Sequence, residues 1–542
     1  MKVIIIGGVA AGTKAAAKLK RENQDCEVTI LTKSKDISYA GCGLPYYVGK
    51  VIQDSSQLII NTPESFSKLT GVKLLTEVEV TKVNPEMKSL EALNLNTKET
   101  LNYTYDKLVI ASGADAIKPK IDGVNLKGVF FMRTPDDAIS LRKAIDAGEI
   151  KRAVVIGGGF IGLEVAENLV AQGVKVSVID MAKHVLPGFE DEFAQYTENH
   201  LINHGIVTFT ETKLEAIIGE EKVEKIKTDK RTMKADAVIL SIGIRANTAF
   251  LADSGIALMP NGTIKVNEFL QTSFEDIYAV GDCATVTNKV TKEPSWSPMG
   301  SSANIEGRIA AKNINGNKTI YPGVLGTGVA KLPQLNVGRT GLTEAASRSA
   351  GYAVTSVVTV VDDKAHYYPD SSPFIIKMLA DKNTKKLLGL QVLGKGSVDK
   401  IIDIAVTAIT MGATLEDIEN MYLAYAPPFS TAIHPFSHTV NILLNKINGE
   451  LETMTPADYL SGKAEGYKIV DASLTPSIDG ASFIDLTKVN GELPEFEKDE
   501  KLLLVCTKGK RAYMLQNRLK HYGYTNTLVL EGGTAFNGIE IH

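Results

Sequence analysis

At 542 residues the chain is too long for one hydrophobic core, and its length predicts three to four domains. Hydrophobic residues at 44% and charged residues at 23% describe an ordinary globular balance, and a net charge of −4 excludes the basic footprint of a nucleic-acid or anionic-membrane binder. No apolar run nears the roughly 20 residues of a spanning helix. The four cysteines, Cys26, Cys42, Cys283 and Cys506, are too few for a disulfide framework and lack zinc-ligand spacing, so reducing cytoplasm is the expected location.

The opening Val3-Ile4-Ile5-Ile6 is too short for a signal-peptide core and runs into glycines rather than a cleavage site. It reads as a buried parallel strand, followed by Gly7-Gly8-Val9-Ala10-Ala11-Gly12, an Ala/Lys-rich helix and a second strand at 28–31. The design returns 150 residues later: Ala153-Val154-Val155-Ile156, then Gly157-Gly158-Gly159-Phe160-Ile161-Gly162, a helix and a strand at 174–179. Glycines permit the tight turn, and the helix N-terminus offers N–H groups to a pyrophosphate. One such loop is weak evidence and is often an ordinary turn. Two copies in full strand–turn–helix context predict two dinucleotide sites.

The copies differ. The second ends its next strand on Asp180, 18 residues beyond Gly162, where a carboxylate accepts from a ribose 2′-OH. That favours NADH over NADPH, with Lys183 and His184 near enough to soften the preference. The first copy has Val9 at the middle glycine position and Thr32 where the acid would stand.

Further along, residues 105–113 read as an apolar strand closing on Ala111-Ser112-Gly113, and residues 272–282 as a strand delivering Asp282 to a glycine turn. A glycine- and proline-spotted stretch at 321–328 opens a third region. It alternates β-branched residues through 354–361 and carries an apolar helix over 399–411. Residues 445–466 look like a polar linker. The tail reads as a small α/β module: strand 502–505, the loop Cys506-Thr507-Lys508-Gly509-Lys510-Arg511, a helix, and strand 527–530.

Together with Ser38-Tyr39-Ala40-Gly41-Cys42-Gly43-Leu44-Pro45-Tyr46 and Ala424-Tyr425-Ala426-Pro427-Pro428-Phe429, these segments make the first 445 or so residues resemble the flavin disulfide reductases. The branch is that of coenzyme A disulfide reductases and NADH oxidases. The last 80 or so resemble a rhodanese domain, and the whole resembles the coenzyme A disulfide/persulfide reductase–rhodanese fusions. The implied fold is α/β: two Rossmann-like dinucleotide-binding domains (FAD at 1–113 and 243–321, NAD(P)H at 114–242), an α+β dimerisation domain at 322–446, a linker at 447–464, and a rhodanese-like α/β domain at 465–542. For FAD the resemblance implies Gly7, Gly8, Ala10, Ala11, Gly12, Lys33, Ala111, Ser112, Gly113, Gly281, Asp282 (to the ribitol) and Ala303. For the nicotinamide nucleotide it implies Gly157, Gly159, Gly162, Asp180 and Gly243.

Most reductases of this fold carry Cys-x-x-x-x-Cys, but the position five after Cys42 is Tyr47. With no resolving cysteine nearby, Cys42 must exchange with a substrate thiol, an oxygen atom or a distant thiol. The nucleophile is a thiolate, and the helix that follows is expected to lower its pKa. For coenzyme A the resemblance points to Lys14, Lys18 and Arg21 on the first helix and to Ser38. It brings Tyr367 and Tyr425 across a homodimer to the substrate sulfur, while Ile433 stands where relatives have a lysine. In the tail, Cys506 sits in a cradle of N–H groups with Arg511 beside it, as in rhodaneses, but Asp471-Ala472-Ser473 lacks their usual arginine.

The expected function is NAD(P)H-dependent reduction of coenzyme A persulfide, polysulfide or disulfide through FAD and Cys42, with Cys506 handling sulfane sulfur. The partners are a small-molecule thiol or persulfide, with no nucleic acid and no membrane. Two alternatives stay open: an NADH oxidase cycling Cys42 through a sulfenic acid, and a slow sulfur or coenzyme A redox sensor. Cys26 and Cys283 are expected in the core.

Overall fold

Lys2–Ile6 buries four of its five residues and forms the middle of a five-stranded sheet. The order is Ile277–Ala279, Lys107–Ile110, Lys2–Ile6, Glu27–Leu31, Lys73–Leu75, every pair parallel. Because side chains alternate across a strand, Val3 and Ile5 enter one core and Ile4 and Ile6 another. The first core lies under the helices Ala10–Glu22 and Gly300–Ile314, the second under the antiparallel strands Val78–Asn84, Ser89–Asn94 and Thr100–Thr104.

A second parallel sheet repeats the plan: Ile206–Phe209, Lys175–Ile179, Arg152–Ile156, Ala237–Leu240, Val129–Phe130. Even the register repeats. Ile6 stands between Leu31 and Ile110, and Ile156 between Ile179 and Leu240.

The computed structural model describes residues 1–539, in two units. Both parallel sheets belong to the first, 1–185 with 205–324; the second is 186–204 with the chain from 325 on. Residues 186–204, expected inside the second nucleotide domain, therefore group with the later region. The cause is charge: Lys377, buried in the strand Pro373–Asp381, sits 2.5 Å from Glu192, 3.1 Å from Glu344 and 3.9 Å from Glu190. An ammonium cannot be buried alone, and the excursion supplies two of its counter-ions.

The second unit holds a five-stranded antiparallel sheet, Gly328–Leu332, Leu335–Gly341, Leu387–Gly394, Pro373–Asp381, Val354–Asp362. The β-branched stretch forms the strand Val354–Asp362, with six consecutive residues buried, because the helices Pro435–Ile447 and Gly533–Phe536 pack on it. The helix expected over 399–411 forms as Val398–Met411.

The tail is a parallel sheet ordered Thr453–Met454, Thr527–Leu530, Leu502–Val505, Lys468–Asp471, Ser482–Phe483. Its edge strand corrects the linker expected at 447–464. Thr453 and Met454 pair with Val529 and Leu530, and Leu451 and Met454 are buried in the module's cores. Two apolar anchors and a partner strand suffice to fix a segment whose composition is otherwise polar. Glu531 joins the module to the antiparallel sheet: it is buried, accepts from Lys446 Nζ at 2.7 Å and Thr453 Oγ1 at 2.6 Å, and takes the Val358 N–H at 2.8 Å. No helix among the described residues is long and apolar enough to cross a membrane.

Candidate active site

In both glycine loops the turn can be built only without side chains. A Cβ on Gly7 (φ +107°) would meet the Ala111 carbonyl oxygen at 2.1 Å, and one on Gly12 the Gly7 oxygen at 1.9 Å. In the second copy Gly157 (φ +108°) and Gly162 face the Ser241 and Gly157 oxygens at 2.3 and 2.0 Å. Neither Val9 nor Gly159 caps its helix with a side chain, which leaves the first-turn N–H groups to a phosphate. These cradles fit FAD and a nicotinamide nucleotide.

The acidic position separates the copies. Asp180 accepts the Gly158 N–H at 2.6 Å and the Ala182 N–H at 2.8 Å, bracing the turn while keeping lone pairs for a ribose hydroxyl. Thr32 is buried beside Gly8, and Lys33 pairs with Asp115 at 2.9 Å. Ala111 and Gly113 shape the turn opposite the first loop, and Ser112 Oγ donates to the Asn247 carbonyl at 2.7 Å. Gly243 (φ +103°) turns the chain after the corresponding strand of the second sheet.

Asp282 follows Gly281, whose Cβ would lie 3.1 Å from Ala11 and 3.7 Å from Ala303. This brings the strand end, the first loop's helix and the helix Gly300–Ile314 to one place. Arg133, which sequence reading missed, holds Asp282 at 2.6 Å. Glu306, one turn past Ala303, is buried and accepts the Gly281 N–H at 2.6 Å. Burial raises its pKa to about 7, against the pull of that N–H and Tyr321.

Cys42 lies in the 3-10 turn Gly41–Gly43, ahead of the helix Leu44–Val48, and is exposed. The helix was expected to lower its pKa, and this is corrected. Surrounding protein displaces water and pushes the thiol pKa up, the Glu164 and Asp282 carboxylates push it further, and only Arg133 opposes them. A five-residue helix carries too little dipole to outweigh that desolvation and two carboxylates. Tyr47, at the position of the absent second cysteine, lies under the Arg142 guanidinium 4.4 Å from the ring centroid. Ser38 precedes the turn with φ 45°. Along the first helix, Lys18 pairs with Glu22, while Lys14 and Arg21 lie on the same face.

Residues 1–301 match the family model "Pyridine nucleotide-disulphide oxidoreductase", and residues 329–435 match its dimerisation domain. The chain belongs to this family. It is similar to the NAD(P)H coenzyme A polysulfide/persulfide reductase of Pyrococcus horikoshii, 37% identical over 82% of this chain and 98% of that one. It is also similar to a NADH oxidase of Methanocaldococcus jannaschii, 34% identical over 83% of this chain and all of that one. Among solved structures, reduced Bacillus anthracis CoADR-RHD is 34% identical with a TM-score of 0.94, covering 99% of this chain and 97% of that one.

Within the dimerisation domain of this pyridine nucleotide-disulphide oxidoreductase, Tyr367 and Tyr425 are both exposed. A hydrogen bond between them raises the Tyr425 pKa. Tyr422, Phe429 and Ile433 add to an exposed apolar surface on the same segment. His434 caps the helix Pro435–Ile447, and burial, with Lys400 second, lowers its pKa to about 4.

In the tail Cys506 is buried, and the Thr534 and Ala535 N–H groups donate to the Cys506 and Thr507 carbonyls at 3.2 and 3.0 Å. Arg511 Nε donates to the Ala472 carbonyl at 2.8 Å, and Lys508 pairs with Asp362 at 2.6 Å, so two of the loop's cations already have partners. Asp471 accepts from the Ser473, Ser477 and Ile478 N–H groups. Cys26 and Cys283 are buried, and burial pushes the Cys283 thiol up to about 11.

Proposed function

We propose that this flavin-dependent oxidoreductase reduces coenzyme A persulfide or polysulfide, with coenzyme A disulfide as a related substrate, at the expense of NADH. The observation that carries it is the solitary, exposed Cys42 with Tyr47 in place of a resolving cysteine. Such a thiol has to find its exchange partner outside its own segment, and a coenzyme A persulfide supplies one. FAD, when bound, relays two electrons from the nicotinamide to sulfur. The Cys42 thiolate attacks the sulfur bonded to coenzyme A, the S–S bond breaks, and hydrosulfide leaves. Two electrons then cleave the Cys42–coenzyme A disulfide and free coenzyme A. Overall, NADH and coenzyme A persulfide become NAD⁺, coenzyme A and hydrosulfide.

The reading extends to a cytoplasmic homodimer in which Tyr367 and Tyr425 serve the substrate sulfur, and the exposed surface around Tyr422 and Phe429 supports dimerisation. Lys14, Lys18, Arg21 and Ser38 are proposed coenzyme A contacts. The tail is proposed to act as a rhodanese, carrying sulfane sulfur on Cys506 above the helix Lys510–His521. With Lys508 and Arg511 engaged, its exchange with thiosulfate is expected to be slow.

The test is anaerobic NADH oxidation with coenzyme A persulfide, coenzyme A disulfide and a small-thiol persulfide offered in turn. Fast turnover with hydrosulfide release supports the reading. Turnover only when oxygen is admitted makes the chain an oxidase, the activity named in its Methanocaldococcus relative.

A further inference from the structure

Cys42, in the 3-10 turn, and Tyr46, in the helix that turn runs into, are four residues apart and near enough for their charges to interact. Tyr46 Oη donates to Glu164 Oε1 at 2.8 Å. Glu164 stands two residues beyond Gly162, in the first turns of the helix Phe160–Ala171 that opens at the second glycine loop. The carboxylate thus lies where the thiol segment meets the nucleotide loop. Burial first, then Glu164, raises the Tyr46 pKa and keeps the phenol a donor.

A carboxylate beside a nucleophilic thiol is at first sight an obstacle, because its charge disfavours the thiolate. The obstacle vanishes if the carboxylate takes the thiol's own proton. One negative charge is then present before and after the transfer, and the thiolate has a neutral neighbour. We propose, resting on the persulfide-reductase reading, that Glu164 is the proton acceptor for Cys42 and that Tyr46 is the positioning residue that holds it there.

The proton moves from Cys42 Sγ to Glu164, leaving a thiolate and a carboxylic acid. The thiolate forms its bond to the coenzyme A sulfur of the persulfide, and hydrosulfide departs with the electrons of the broken S–S bond. When two electrons from NADH cleave the mixed disulfide, Glu164 returns its proton to the coenzyme A thiolate. The proton released as NADH becomes NAD⁺ restores the Cys42 thiol.

Two readouts on the flavin-loaded enzyme separate this role from a structural one. The first is the rate of Cys42 alkylation by iodoacetamide against pH, and the second is kcat with coenzyme A persulfide. In Glu164→Gln, loss of the charge lowers the thiol pKa, so alkylation near neutral pH rises severalfold, while kcat falls about a hundredfold for want of the acid–base group. Tyr46→Phe shifts both in the same directions by less. Opposite movement of the two readouts supports the proposal. Both falling together means structural damage, alkylation rising with kcat unchanged means charge without proton transfer, and neither moving means no role; each overturns it. If the wild-type enzyme turns over only with oxygen, the reading above fails on its own, and the variants are scored on oxygen-driven kcat instead.

Discussion

The two thiols that the sequence singles out are set in opposite ways. Cys42 is exposed, stands among carboxylates and lies in a short 3-10 turn. Cys506 is buried, and its loop is stitched by the N–H groups of Thr534 and Ala535, by Arg511 and by the Lys508–Asp362 pair. Both follow the same local pattern, a cysteine at the head of a helix. The difference teaches that burial and neighbouring charge, and not the helix alone, set what such a cysteine can do.

The sharpest way to break this comparison is to remove each sulfur. Cys42→Ser is expected to drop persulfide-driven NADH oxidation below about a thousandth of the wild-type rate, while Cys506→Ser stays near it. Equal losses would mean that both thiols lie on one obligatory route. The next effect concerns the support under Cys506. Glu531→Ala leaves Lys446 and the Val358 N–H without their buried acceptor, which should cost about 3–5 kcal/mol in chemical denaturation. Cys506 should then alkylate faster, with Cys42 unchanged, by peptide mass.

In the native protein the exposures predict their own order: iodoacetamide modifies Cys42 well before Cys506, with Cys26 and Cys283 silent until unfolding. The smallest effect is a pH dependence at the glycine turn that carries Asp282. Glu306, beneath the Gly281–Asp282 turn, has its pKa raised to about 7 from 4.5. The folded state therefore binds a proton that the unfolded chain has lost, so its contribution is whole below pH 4.5 and is lost as pH rises through about 7, by at most about 3 kcal/mol. Melting of wild type against Glu306→Gln over that window should show the slope only in the wild type. Glu344, lowered to about 2 chiefly by Lys377 against its own burial, runs the other way: its stabilisation is present above pH 4.5 and is lost on acidification towards 2.

Much of the architecture was legible in the chain because it is local. A β-branched run, a glycine turn and a helix are neighbours in sequence, and Gly7, Gly12, Gly157 and Gly162 each meet a backbone oxygen that tolerates no Cβ. Cys42 with Tyr47 five residues on is equally local, as is the loop after strand Leu502–Val505. What escaped was long-range. Glu164 meets Tyr46 from 118 positions away and Arg133 meets Asp282 from 149, and no spacing rule links them. The polar stretch around Thr453 became a strand because Val529 and Leu530 waited with unpaired edges, and residues 186–204 left their domain because Lys377 had to be neutralised. By itself the sequence determined the glycine turns, most of the strands and the placing of Cys42 and Cys506 at the heads of helices, all of which follow from a residue's own conformational limits and its near neighbours. Only the tertiary structure decided the charge and burial around those sulfurs, because Coulomb interaction and desolvation depend on what the fold brings near, whatever its distance along the chain.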